Sequence, residues 1–295
     1  MISTEQRMTL SGWAFLTPAL LLITVFFFLP VSAALLLSFT DFDIYALGDL
    51  NRLRWIGFNN YLQLLQSPLF WTALVNTGYF VIIGGPLSVA FSLGAALLVN
   101  SPLTRFPGLF RTVLFLPVVT TLVAVAVVWR YLYHPRYGLI NYGLSLLGIE
   151  PIDWLGDPDW AMPALILMAI WKNFGFNMII FIAGLQSIPV TLYEAARIDG
   201  AGVWRQFCHI TLPLLGPTFL LVALMTVIGY FQVFAEPYVM TQGGPANRTL
   251  SIVLLMYEEG FRWWNIGYAS AVAFILFALI LAATGLHLWL RRNRV

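Results

Sequence analysis

The sequence predicts an all-α membrane protein of six transmembrane helices. Three observations predict it: hydrophobic residues make up 60% of the 295 and charged residues 9%, and the apolar runs are long and unalternating. Water-soluble domains carry about 25% charged residues, so the polar surface here is too small to coat a soluble body. Hydrocarbon offers no partner for a bare backbone N–H or C=O. Spanning segments must therefore be helices or a closed barrel, and runs of this length without alternation are helices.

A window of about 19 residues places helices near 11–39, 71–99, 112–133, 161–184, 211–233 and 266–290. The first run is too long for a signal-peptide core and is expected to persist as a helix, bent at Pro18 and Pro30. With neither an internal repeat nor a low-complexity linker, residues 1–295 read as a single membrane domain. An even number of spans puts both termini on one side. On that side fall eight arginines (Arg7, Arg105, Arg111, Arg197, Arg205, Arg291, Arg292 and Arg294), offset by Glu5, Glu194 and Asp199. The opposite side carries six arginines (Arg52, Arg54, Arg130, Arg136, Arg248 and Arg262) among a larger set of acids that includes Asp41, Asp49, Asp153 and Glu236. The positive-inside rule thus makes both termini cytoplasmic. Trp55, Tyr61, Phe70, Trp71, Trp154, Trp160, Phe261, Trp263 and Trp264 read as interfacial anchors of the outer loops.

Several function classes drop out on composition. A net charge of +2, with no aromatic-interleaved basic run, argues against nucleic acid. Cys208 is the single cysteine and has no disulfide or CxxC partner. His134, His209 and His287 show no HExxH spacing, so no metal or catalytic set is expected. Lys172 is the sole lysine and lies in Ala169-Ile-Trp-Lys-Asn-Phe with no glycine cradle, which excludes a phosphate-binding GxxxxGK[ST] loop. This chain cannot hydrolyse ATP. An ion-coupled secondary transporter is the competing class, but it would place an acid within the membrane. None of the six predicted spans has one at its centre.

The segment 189–213 carries the most information. After Pro189, Thr191 is expected to cap a short helix with Glu194 reaching back from its third position. Ala195 and Ala196 give that helix a small face, and Asp199-Gly200 supplies the turn at its end. A second short helix then runs into Pro213. The result is a protruding helix-turn-helix suited to docking another protein; a plain cytoplasmic connector would have the same local structure.

The spacing E-A-A-x-x-D-G-A over Glu194, Ala195, Ala196, Asp199, Gly200 and Ala201, followed by Phe207, Ile210 and Leu212-Pro213, resembles the EAA loop of binding-protein-dependent ABC importer permeases. The likeness covers nearly the whole chain and is closest to the maltose and glycerol-3-phosphate type of sugar permease. Further matching stretches are Ser38-Phe-Thr-Asp41, Trp55-Ile-Gly-Phe-Asn-Asn-Tyr61, Asn76-Thr77, Arg111-Thr-Val-Leu-Phe-Leu-Pro117, Trp154-Leu-Gly156, Gly184-Leu-Gln-Ser-Ile-Pro189 and Thr241-Gln-Gly-Gly-Pro245. The extra N-terminal helices and large external domain of the best-known maltose permease have no counterpart here, and features tied to them are not carried over.

The resemblance implies a type I importer bundle in a bacterial inner membrane. It implies as partners a second, homologous permease subunit in a heterodimer, two ATP-binding subunits that hold ATP and magnesium, and an extracytoplasmic solute-binding protein. The EAA residues would then sit in a cleft of the ATPase. The cargo would be a sugar, oligosaccharide, polyol or glycerol phosphate.

For the pathway itself, Lys172 falls mid-span, where an isolated charge costs about 2.5–3.5 kcal/mol. It should face a cavity or a partner, unless it snorkels to the interface or pairs with a neighbouring subunit. Asn173, Phe176 and Asn177 beside it, with Thr226, Tyr230 and Gln232 on the fifth helix, combine amides, hydroxyls and aromatic faces suited to sugars. The resemblance also places substrate contacts on these two helices. The same side chains would equally serve to hydrogen-bond the helices to each other.

Overall fold

The computed structural model describes residues 4–48 and 53–292, with side chains placed for 12–46, 48 and 53–289. Among these residues there is no strand, and the one bridge pairs Thr40 with Trp55. Of the charges used for orientation, the side chains of Glu5, Arg7, Arg291 and Arg292, and residues Asp49, Arg52 and Arg294, lie outside the description.

Among the described residues, four helices are long and apolar enough to cross a membrane: Gly12–Leu37, Pro68–Val99, Ala161–Gln186 and Ile266–Trp289. Two predicted single spans are instead bent pairs. Pro107–Val119 and Leu122–Leu132 meet at 97°, and Val203–Leu214 and Gly216–Phe231 at 67°. Counting each pair as one span gives six.

Local chemistry explains both breaks. Pro117 lacks the N–H that would bond one turn back, and Thr120 and Thr121 follow in extended conformation, ψ 150° and 135°. Thr120 Oγ1 then donates to the Pro117 carbonyl at 2.6 Å, which closes the first helix. In the second pair Pro213 and Pro217 bracket the corner at Leu215.

Widened turns precede three of the prolines. The π-turns Thr24–Phe28, Phe80–Gly84 and Phe207–Thr211 each end two residues before a proline, namely Pro30, Pro86 and Pro213. A proline ring collides with the carbonyl four residues back, and widening the preceding turn by one residue relieves that clash. The bend expected at Pro30 is therefore a π-turn within a continuous helix.

The chain forms two compact units. One comprises the chain up to Ser67 together with Met256–Ile275; the other comprises Pro68–Leu255 with the chain from Leu276. In the first, the helix Gly12–Leu37 buries none of its most apolar stretch (0%), a surface suited to lipid or another subunit. The loop that follows is tightly bonded. Phe39 stacks on Trp55, Arg54 pairs with Asp41 at 2.7 Å, and Asn60 Nδ2 donates to the carbonyls of Ser38 and Thr40, each at 2.8 Å. Gly267 N–H donates to the Phe42 carbonyl at 2.9 Å, and a Cβ on Gly267 would collide with the Thr40 carbonyl. The Ser38–Asp41 and Trp55–Tyr61 motifs thus grip each other.

Asn60 is buried and satisfies two carbonyls with one amide. Replacing it with leucine strands both and is expected to cost about 2–4 kcal/mol. An unchanged melting temperature of the detergent-solubilised Asn60→Leu protein would contradict this.

In the second unit Ala161–Gln186 is the central helix, with 67% of its most apolar stretch buried. It packs on Pro68–Val99, on Pro107–Val119 and on Gly216–Phe231. Glycines let the backbones close: a Cβ on Gly175 would strike the Leu114 carbonyl and Phe115 Cα, and one on Gly184 would strike Thr218. The apolar core divides into one cluster around Phe80, Trp129, Tyr133 and Leu165, and another around Phe181, Ile182, Leu185 and Val222. The Asn76-Thr77 motif holds the segment that follows the Thr241–Pro245 turn. Asn76 Nδ2 donates to the carbonyls of Asn247 and Leu250 at 2.7 and 3.0 Å, and Thr77 Oγ1 accepts from the Ile252 N–H at 3.0 Å.

Candidate functional site

Inside the second unit lies a cavity of about 490 Å³ between Ala161–Gln186 and Gly216–Phe231. All seven residues named from the sequence for the pathway line it. They come together because Lys172, Asn173, Phe176 and Asn177 span just over one turn of the central helix, while Thr226 and Tyr230 sit one turn apart on its neighbour.

Hydrogen bonds hold the two asparagines in place. Asn177 Nδ2 donates to Thr226 Oγ1 at 3.0 Å, so this pair both ties the two helices and faces the cavity. Asn173 Nδ2 donates back to the Ala169 carbonyl at 3.0 Å. Tyr230 is buried, its ring 5.0 Å from that of Phe80. A Cβ on Gly84 would lie 2.8 Å from Tyr230 Cε1, so glycine there makes room for the ring. Phe176 is half-exposed, offering a face to the space, and Gln232 closes the helix end.

Lys172 does not snorkel. It is 7% exposed, and its Nζ donates at 3.0 Å to the Val118 carbonyl, one of those left unpaired by the break after Val119.

Glu236 is the cavity residue that the sequence reading did not name. Expected on the outer face just beyond a helix end, it is 7% exposed on the short helix Ala235–Met240 and lines the same cavity. Burial pushes its carboxyl above the usual carboxylate range, while its own backbone N–H and the charge of Lys172 pull the other way. Its sequence signal was faint: one acid, four residues past Gln232, in an otherwise apolar stretch.

The 189–213 segment is the expected helix-turn-helix, with one correction. Helix Val190–Ile198 begins from Pro189 with no side-chain cap, so Thr191 lies inside its first turn and Glu194 does not close a capping box. The extended Pro189, ψ 128°, already sets the entry. Gly200 takes φ +74°, and Ala201 N–H returns to the Ala196 carbonyl at 2.8 Å, a left-handed helix cap. Tyr193 and Thr211 join the two short helices through their hydroxyls at 2.9 Å. Glu194, Ala195, Asp199 and Gly200 are exposed, with Ala196 and Ala201 half-buried. Beside them stand Ile198 at 88%, Val203 at 85% and Trp204 at 75% exposure, an apolar tip that the motif alone does not specify.

Membrane-length helices, a polar, aromatic-lined cavity and an exposed elbow define a membrane permease. Residues 8–294 match the family described as binding-protein-dependent transport system inner membrane component. The chain belongs to that family, the membrane-embedded, non-enzymatic component of ABC importers. It is 36% identical over 297 residues to the lactose transport system permease protein LacF of Rhizobium radiobacter, covering 99% of this chain and 97% of that one. Against the trehalose/maltose transport system permease protein MalF of Thermococcus litoralis, identity is 34% over 286 residues, covering 96% and 94%. A chain from the crystal structure of a bacterial ABC transporter involved in the import of the acidic polysaccharide alginate shares the fold. Its TM-score is 0.81 at 24% identity, covering 98% of this chain and 97% of that one. Ion-coupled secondary transport finds no support in these comparisons.

Proposed function

We propose that this chain is one permease subunit of a carbohydrate ABC importer. It crosses a bacterial inner membrane six times with both termini in the cytoplasm, paired with a second, homologous permease. Two ATP-hydrolysing subunits drive it, and an extracytoplasmic binding protein delivers its cargo. Relatives named for lactose and for trehalose/maltose support the carbohydrate class. The observation that carries the reading is the cavity itself, in which buried amides and hydroxyls meet aromatic faces in the core of a family permease.

The elbow would transmit the motor's movement. Glu194, Ala195, Ala196, Asp199, Gly200 and Ala201 form its docking surface, with the apolar tip at Ile198, Val203 and Trp204 beside it. A rigid element with two arrangements is needed to couple nucleotide-driven closure to the helices, and the Tyr193–Thr211 bond makes the two short helices one body.

Co-expression with the neighbouring subunits should yield a complex whose uptake of labelled saccharide requires both ATP and the binding protein. Uptake that persisted without an ATPase partner would overturn the assignment. Within that assay, Asn177→Leu and Tyr230→Leu are each expected to lower uptake at least about tenfold, equivalent to about 1.4 kcal/mol, with assembly preserved. Unchanged uptake would remove those side chains from the pathway.

A further inference from the structure

Lys172 and Glu236 are the charged side chains among the residues lining the cavity, one of each sign. Both are 7% exposed, yet they form no ion pair with each other. Lys172 commits one of its three N–H donors to the Val118 carbonyl; among the described residues the Glu236 carboxylate has no bonding partner on another residue. Burial disfavours either charge alone, and the opposite charge of Lys172 in the same cavity favours Glu236 as a carboxylate. Opposite charges that share a cavity and remain apart leave room for something between them.

We infer that Lys172 and Glu236 form a charge-balanced selectivity element that admits uncharged polyhydroxylated saccharides and rejects anionic ones. This rests on the carbohydrate reading above and adds the charge class of the cargo, which the relatives leave open, since they include permeases for lactose and for an acidic polysaccharide.

The chemistry is that of a bifunctional ligand. A sugar hydroxyl donates its proton to the Glu236 carboxylate, and a second hydroxyl oxygen accepts from a free N–H of Lys172. A neutral polyol thus satisfies both groups and loses nothing to repulsion. A uronate or phosphate gains Lys172 but brings a like charge up to Glu236, where burial screens the repulsion less than bulk solvent would. Glu236 is therefore the residue that excludes anions, and Lys172, anchored on the end of Pro107–Val119, is the fixed counter-charge that balances it.

The test uses the assembled importer in nanodiscs without its binding protein. Saturation-transfer NMR would compare an equimolar set of neutral disaccharides (lactose, maltose and trehalose) with the dianionic digalacturonate. The wild-type complex should transfer saturation to at least one neutral sugar and at least tenfold less to digalacturonate. Glu236→Gln should raise the digalacturonate signal at least fivefold, whereas Glu236→Asp, which keeps the charge, should leave it near the wild-type level. Digalacturonate contacting the wild-type complex as well as the neutral set would overturn the inference without recourse to any variant, and so would an unchanged Glu236→Gln signal. Contact with neither probe class would overturn the carbohydrate cavity itself, and the charge inference with it.

Discussion

Replacing Gly200 with valine is expected to cut coupled uptake at least tenfold while the chain still inserts and ATP hydrolysis by the complex continues. The glycine sits at φ +74° with open space around its Cα, so a side chain there meets no neighbour and the penalty is purely backbone strain. For a β-branched residue that strain is about 1–3 kcal/mol. Relieving it unwinds the cap in which Ala201 N–H meets the Ala196 carbonyl, at the end of the elbow's first helix. A difference of about 1.4 kcal/mol already shifts an equilibrium tenfold. The paired measurement is ATP hydrolysis and saccharide uptake in proteoliposomes. Uptake of Gly200→Val equal to wild type would remove the elbow from the coupling path, whereas loss of the whole complex would mean that the turn serves assembly instead.

Gly175→Leu is expected to be more destructive still, but through stability. At this position Ala161–Gln186 lies directly against the backbone of Pro107–Val119, at the Leu114 carbonyl and Phe115 Cα. Backbone cannot step aside as a side-chain end can, so any added carbon separates the helices. Overpacking of this kind costs about 3 kcal/mol or more, and here it also disturbs the Lys172–Val118 bond that crosses the same pair of helices at 3.0 Å. The prediction is a marked loss of assembled protein on size-exclusion and a clear drop in melting temperature, with Gly175→Ala intermediate. Normal yield and melting of the leucine variant would show that this contact is loose.

The two variants read different parts of what the sequence disclosed. The elbow was legible because its function needs particular residues at fixed offsets: small alanines for close approach and a glycine for positive φ. Its entry was misread because Thr191 and Glu194 have capping-box spacing, yet the extended Pro189 starts the helix two residues earlier and leaves no N-cap for Thr191 to occupy. The corners at Thr120-Thr121 and Leu215 were hidden because hydropathy averages over a window and is blind to direction. A run of apolar residues scores alike whether it is straight or turns through 97°.

For the cavity, the sequence supplied six of the polar or aromatic wall residues and Lys172, since amides and a cation within an apolar span stand out against their surroundings. Glu236 did not stand out, because it follows a helix end and reads as a loop acid.

What the sequence determined by itself was solvent and element type. Lipid as surroundings forces each backbone group to find its partner locally, and composition alone reveals that constraint. What the tertiary structure decided was which side chains share one space. A short helix folds back after Gln232 and carries Glu236 into the cavity that Lys172 borders, and a broken helix offers Lys172 the carbonyl of Val118. Such meetings depend on bends and on contacts between residues more than fifty apart in the chain. Local periodicity holds no record of them.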